Sequence, residues 1–229
     1  DRFVRGLRGV KVLPLSHPLG PNMEQLALLN PQLVLSAPIW RKGNQQMREL
    51  GIRVVESDPQ RVADVARQTE LIGQVIGRRA AAKRLAAQQR AHIRAAKRAI
   101  KRRPSVLLLL GLGRSVQAFL PSSWGGDLIT QAGGRLLTKG LPQLSRGFAR
   151  ISDEIIVKRN PEIIIVVPHG NVTDIPRIAN QVRNNPAWRK TRAARTGRIY
   201  VSTDNTLLQA WTSAAKSIEE VQRKFLKNR

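Results

Sequence analysis

Apolar and polar positions are grouped in blocks along this chain of 229 residues, and one block pattern occurs twice. Asn22-Met-Glu-Gln-Leu-Ala-Leu-Leu-Asn-Pro-Gln-Leu-Val-Leu35 is repeated in kind by Ser152-Asp-Glu-Ile-Ile-Val-Lys-Arg-Asn-Pro-Glu-Ile-Ile-Ile165. Each copy opens on a capping residue, Asn22 with Gln25 three positions on, or Ser152. The side chain of such a residue accepts a hydrogen bond from an N–H that the first helical turn leaves unpaired. Asn30-Pro31 and Asn160-Pro161 then stop the two short helices, because the residue before proline is pushed out of the α region. The runs that follow, Leu33 to Leu35 and Ile163 to Val167, are apolar without alternation, which predicts parallel strands covered on both faces. The copies finish at Pro38 and Pro168.

The rest of the pattern supplies a strand near Val10 to Leu13, a helix over Asn44 to Leu50 and a strand at Ile52 to Val55. Asp58-Pro59 is a helix start, with Asp at the N-cap and Pro in the first turn. Helical periodicity continues to about Arg103, where Pro104 ends it. Unbroken, that helix would measure roughly 65 Å at 1.5 Å per residue. Gly73 and Gly77 permit a break, so one long helix or two in series both fit, and either would act as a stiff spine. Beyond it come a strand at Val106 to Leu110, a glycine-bearing turn from Gly111 to Ser115, and a helix from about Gly126 to Ala132. After the second copy come a helix over Val182 to Lys190, a strand at Ile199 to Ser202 and a terminal helix. This alternation predicts an α/β class with a mostly parallel sheet. The expected organisation is a first lobe over 1–58, a spine helix over 59–103 and a second lobe over 104–229. Lobes of this kind bind ligand beyond the carboxyl ends of their strands, which directs attention to the loops at Pro38 and Pro168.

Composition changes the picture in two ways. The chain has no cysteine, which removes disulfides and thiolate metal sites, and no run of 18 apolar residues that would span a membrane. It opens at Asp1-Arg2-Phe3 without a charged start and apolar stretch, so any targeting segment is expected to have been removed or left out. The formal net charge is +25, and no acid occurs between Glu70 and Asp127. Arg78, Arg79, Lys83, Arg84, Arg90, Arg94, Lys97, Arg98, Lys101, Arg102 and Arg103 crowd that interval, a surface that attracts polyanions. The segment from Arg78 to Arg103 contains no Phe, Trp or Tyr on which bases could stack, so nucleic acid is disfavoured.

Few residues carry chemistry. Gly111-Leu-Gly113 lacks the third glycine and the following acid of a dinucleotide loop and reads as a tight turn. No Ser/His/acid set or phosphate loop occurs, so no catalytic residue is assigned and the chain is read as a non-enzyme. His169, directly after Ile-Ile-Ile-Val-Val-Pro and before Gly170, sits where a neutral imidazole could ligate a transition metal or a haem iron. His17, Leu19 and Met23 are first-half candidates to face it, though Met23 reads more simply as a helix-start residue packed on the core. Glu24 and Glu154 occupy the same position in the two copies. The helix dipole alone favours carboxylates there, and a paired docking surface for a partner with two matched basic groups is the alternative.

These phrases, with Gly126-Asp127-Leu-Ile-Thr-Gln-Ala132-Gly-Gly134 and Gly197-Arg-Ile-Tyr200-Val, resemble in order and spacing the class III substrate-binding proteins of ABC importers. That family delivers haem, siderophores and cobalamin. Within it the likeness is to the staphylococcal-type haem receptor lipoproteins. The resemblance implies two α/β lobes joined by a helical spine, with the N-terminal lobe short of a strand-helix-strand stretch. It implies haem as the transported ligand, captured between the lobes, with Pro168-His169-Gly170 supplying the iron ligand. The opposite ligand in such proteins is a methionine; here Pro18-Leu19-Gly20-Pro21-Asn22 carries leucine, so iron would be five-coordinate or take His17. Leu19, Ile39, Trp40 and Trp124 would cover the ring, Arg41 and Arg114 would meet the propionates, and Gly170 would leave room. Glu24 and Glu154 would dock an ABC permease dimer. The protein is then expected to be an extracytoplasmic monomer, a cell-surface lipoprotein or periplasmic. The rivals are the same fold carrying a ferric siderophore or corrinoid, a polyanion or nucleic-acid binder acting through the basic helix, and a chelatase-like enzyme that would need a second metal ligand near His169.

Overall fold

The computed structural model describes residues 10, 13, 15–16, 20–112, 115–145, 147–170, 175–210 and 213–227. The chain divides into two compact units, Asp1–Asp58 and Pro59–Arg229.

In the first unit, β1 (Leu15–Ser16) pairs antiparallel with β2 (Gly20–Pro21). Helix α1 (Met23–Leu29) follows, and its N-cap Asn22 accepts the Gln25 N–H at 2.9 Å. Asn30 ends it at φ 43, in the left-handed region, and its own N–H bonds to the Ala27 carbonyl. Strand β3 (Leu33–Ser36) lies parallel to β4 (Arg53–Glu56), with α2 (Arg41–Glu49) between them in sequence. Helix α2 starts three residues before the expected Asn44 because Asn44 is not a cap. Its buried amide donates to the Ala37 carbonyl and accepts from the Ser36 hydroxyl, clamping the end of β3. Leu26, Met47 and Ile52 form the core, with Val34 and Val54 against them. Both helices thus share the Val34 face, and Leu35 on the other face is 49% exposed. This strand is covered on one side, not two, despite its unbroken apolar run. The expected strand over Val10 to Leu13 falls largely outside the described residues.

The second unit begins with helices α3 (Asp64–Val75) and α4 (Arg79–Arg98), which do not form a 65 Å rod. Gly77, at φ 71, turns the chain: its N–H bonds to the Gln74 carbonyl and the Arg78 N–H to that of Gly73. This pair of bonds is the Schellman closure, and it needs a residue free to enter the left-handed region. The helices then fold back on each other, Thr69 bonding Gln89 and Glu70 bonding Arg90. They approach so closely at Gly73 that an added Cβ would lie 2.0 Å from that of Ala82.

The sheet is built on β5 (Ser105–Leu112), which forms a hairpin with β6 (Ser115–Phe119). Helix α5 (Trp124–Gln131), capped by Ser123, leads to β7 (Arg135–Leu136), which pairs parallel with the start of β5. Strands β8 (Gln143–Ser145) and β9 (Phe148–Arg150) extend the antiparallel edge. Helix α6 (Asp153–Arg159) and β10 (Ile163–His169) are the second copy of the repeat. Helix α7 (Ile175–Arg183), α8 (Arg192–Arg195), β11 (Ile199–Val201) and α9 (Ala214–Val221) complete the unit. Strand order is β11-β10-β5-β6-β9-β8, with β7 beside β5. The sheet is therefore mixed: β7, β5, β10 and β11 run parallel, while β6, β9 and β8 are antiparallel. The segment Gly111 to Ser115 connects two antiparallel strands, with Leu112 opposite Ser115, and not a strand to a helix as in a nucleotide loop. In place of a helix over 182–190, α7 ends at Arg183 and a 3-10 turn fills Pro186–Lys190.

Strands β5 and β10 are buried on both faces, and their alternation divides the core. Leu108, Leu110, Ile163, Ile165 and Val167 pack on one side with α5 and α9. Leu107, Leu109, Ile164 and Val166 pack on the other with Ile156, Ile178 and Trp188. Each such fully buried side chain is worth about 1.5–3 kcal/mol, so this pair of strands is the rigid base on which the site stands.

Candidate functional site

Strand β10 delivers His169 to its site. The run Ile163 to Val167 is held between β5 and β11 and buried throughout, whereas His169, paired in register with Leu112, is exposed at the carboxyl end. Pro168 precedes it and Gly170 follows at φ 141, where a Cβ would meet no atom within 4 Å beyond those of its chain neighbours. The imidazole is thus carried by a stiff strand into open space. By the two-residue alternation it shares the face of Ile165 and Val167. A cavity of about 890 Å³ opens on the other face of the sheet, lined by Gly111, Val116, Arg150, Asp153, Asn180 and Trp188 among others. His169 does not line this cavity, so the cavity is not the iron site. Among the described residues no three His, Asp or Glu side chains converge to hold a metal ion.

The two carboxylates sit in equivalent geometry. Glu24 and Glu154 each lie two residues after a side-chain cap, in the first turn of a seven-residue helix, and both are exposed. Each helix ends on a left-handed asparagine, φ 43 ψ 56 at Asn30 and φ 45 ψ 59 at Asn160. The bond from the Ser152 hydroxyl, ahead of one from the Glu154 N–H, holds the Glu154 carboxyl below the usual range. Sequence reasoning missed the residue that fixes this helix start. Buried Trp188 donates its indole N–H to Asp153 Oδ1 at 2.7 Å, and its only signal was a lone tryptophan in a polar stretch.

The other candidates divide. Ile39 is 81% exposed on a 3-10 turn, Trp40 beside it is half-buried, and Arg41 is exposed at the start of α2. Met23 packs partly on the first unit's core, the simpler of its two readings. His17, Leu19 and Arg114 lie outside the described residues. Trp124 is a correction. It is 4% exposed, packed among Leu108, Phe119 and Leu128, with its indole N–H donated to the Thr206 carbonyl at 2.8 Å. A tryptophan satisfied in this way is core and does not cover a ligand.

A family model described as periplasmic binding protein matches residues 2–206. The chain belongs to that family. Among curated proteins, this periplasmic binding protein is 26% identical over 193 residues to the high-affinity heme uptake system protein IsdE of Staphylococcus aureus. The match covers 81% of this chain, and the chain spans 64% of the length of that relative. Its fold is that of an ABC transporter substrate-binding protein from Listeria monocytogenes, with a TM-score of 0.81 at 23% identity, covering 97% of this chain and 86% of the other. The S. aureus IsdE structure complexed with heme aligns with a TM-score of 0.76 at 23% identity, covering 96% and 89%. The periplasmic heme-binding protein RhuT from Roseiflexus aligns with a TM-score of 0.73 at 23% identity, covering 89% and 78%.

Proposed function

We propose that this periplasmic binding protein is the extracytoplasmic receptor of an ABC importer, that its cargo is haem, and that it carries out no catalysis. The observation that carries this reading is His169, exposed at the end of a fully buried strand with empty space beside Gly170. The relatives named for heme uptake and heme binding support the cargo. In this reading the neutral imidazole of His169 ligates the iron and tells an iron porphyrin from an apolar ring of the same shape. Ile39, Trp40 and Leu19 supply apolar cover, Arg41 and Arg114 meet the propionates as charge-assisted bonds, and His17 offers a second axial nitrogen. The loaded protein, a monomer, docks on a permease dimer through Glu24 and Glu154. Both carboxylates are exposed and carried on short capped helices, which suits them to meet cationic side chains.

Hemin titration followed by visible absorption tests this. The protein should shift the Soret band at one equivalent, and His169→Ala should weaken retention at least about tenfold, which is 1.4 kcal/mol. An unchanged band on adding protein, or an unchanged affinity in the variant, refutes haem ligation. Protection of the protein by cyanocobalamin and not by hemin would replace the cargo with a corrinoid.

A further inference from the structure

Haem capture and permease docking use little of the formal net charge of +25. Much of the surplus lies on α4. Arg79, Lys83, Arg90, Arg94 and Lys97 fall at i, i+4, i+11, i+15 and i+18, one stripe at 3.6 residues per turn. The helix carries it over about 30 Å. Ala86, at i+7 of the same row, is fully buried, with Ala82 and Ala96 beside it, so the stripe runs along the edge of the buried side; the side chains of Arg79, Lys83, Arg94 and Lys97 are nonetheless exposed. Glu70 takes Arg90 through two bonds of 2.9 and 3.0 Å. Arg84, Arg94, Lys97 and Arg98 are exposed and have no ion-pair partner among the described residues, while the exposed Lys83 lies close enough to Glu70 to help hold its carboxyl below the usual range, after the bond from Arg90. Like charges at this spacing disfavour a helix, and Glu70 offsets them only at Arg90 and Lys83 among the described residues.

From the last turn of α4 the chain passes through Lys101 and Arg103 alongside a cavity of about 430 Å³ lined by Arg102, Glu162, Arg192, Arg198 and Tyr200. Glu162 holds Arg102 at 2.7 Å and Arg192 at 3.4 Å. Arg198 is anchored on the Phe225 and Leu226 carbonyls at 3.2 and 3.3 Å. Three positioned guanidiniums against one carboxylate leave a net positive recess whose planar forks suit phosphate oxygens.

We infer that this recess and the α4 stripe together bind a linear phosphodiester polymer of the cell envelope. One phosphate sits among Arg102, Arg192 and Arg198, and its neighbours follow Lys97, Arg94 and Lys83. Two other polyanions fit less well. No aromatic side chain lies along the stripe to stack a base, and Tyr200 in the recess is in edge contact with Phe225. A bilayer would impose an orientation: α4 packs on the Leu108 and Ile165 face through Ala96, and α6 on the opposite face through Ile156. Lying on lipid along α4 would turn Glu154 from the membrane, where the proposed function needs it; this one step rests on that reading. A flexible polymer sets no such conflict.

The test is fluorescence anisotropy of labelled poly(glycerol phosphate) with the whole protein between 50 and 200 mM salt. The three stripe cations Lys83, Arg94 and Lys97 and the net two positive charges of the recess predict a slope of log K on log salt near about −3.5, a loss of about 100-fold over that range. The triple variant Lys83→Gln, Arg94→Gln, Lys97→Gln should reduce this to about −1.4 and about sevenfold, with hemin titration unchanged. Arg192→Gln should weaken the polymer about tenfold at 50 mM salt, as for one lost charge-assisted contact. A wild-type slope shallower than about −1, a triple variant with the wild-type slope, or glycerol phosphate competing as well as the polymer at equal phosphate overturns the inference. So does equal affinity for phosphatidylglycerol vesicles or for a single-stranded oligonucleotide of the same phosphate count. Loss of hemin binding with polymer binding intact would refute the haem reading alone.

Discussion

Glu162 joins three pieces of the second unit, and removing it should be costly. Its Oε2 accepts the Ser105 N–H at 2.8 Å and the Ser105 hydroxyl at 3.2 Å, while Oε1 takes Arg102 at 2.7 Å. Ser105 is buried at the start of β5, so in Glu162→Ala its N–H loses a partner away from water, at about 1–3 kcal/mol. The ion pairs add little, because Arg102 and Arg192 are about half exposed, and such pairs contribute about 0–1 kcal/mol. A total of about 1–5 kcal/mol should lower the melting temperature by about 2–20 °C at 2–4 °C per kcal/mol. Glu162→Gln keeps an acceptor for Ser105 and should lose only about 1 kcal/mol. The Ser105 N–H, then the arginines, hold the Glu162 carboxyl below its usual range. A depressed folded value means the contribution is complete above the ordinary glutamate pKa of about 4.3 and is lost as pH falls through the folded value. The gap between wild type and Glu162→Gln should therefore close in acid. Melts by circular dichroism at pH 7 and about pH 3 decide. An alanine variant within about 2 °C of wild type at pH 7, or a glutamine gap that persists in acid, refutes the reasoning.

Asn30→Ala should cost about 1 kcal/mol because alanine tolerates the left-handed conformation poorly, while Asn30→Gly should be near neutral; Asn160→Gly should still cost about 1 kcal/mol, because it removes the acceptor of the Arg192 N–H at 2.6 Å, and urea unfolding midpoints check this. Trp188→Phe removes the bond to Asp153 and should destabilise by about 1 kcal/mol, loosening the start of α6, which slower amide exchange at Glu154 in wild type than in the variant would register. Glu24→Ala with Glu154→Ala should leave hemin affinity unchanged and abolish stimulation of the permease ATPase in vesicles; a variant that stimulates as well as wild type would exclude these carboxylates from docking.

Local chemistry made much of this protein legible. Both copies of the repeat form as their residues dictate, cap at Asn22 and Ser152, stop at Asn-Pro, then strand. Each of those choices is settled within a few residues of chain, by a side chain reaching an unpaired N–H or by the proline ring. His169 was findable for the same reason, since a continuous apolar run bounded by Pro and Gly marks where a buried strand surfaces. What the run alone did not decide was how many faces are covered: β10 has core on both, β3 on one, because that depends on how many helices arrive.

The remaining features belong to contacts between residues far apart in sequence. Periodicity over 59–103 is equally satisfied by a rod and by a hairpin, and only the packing of Gly73 on Ala82 and of α4 on α9 selects the hairpin. The direction of β6 was set by its pairing with β5, the burial of Trp124 by a carbonyl 82 positions away, and the bond from Trp188 by an aspartate 35 away. Periodicity reports which face of an element is apolar, but the partner for that face is chosen by the energy of the whole core, and that choice is visible only once the chain has folded.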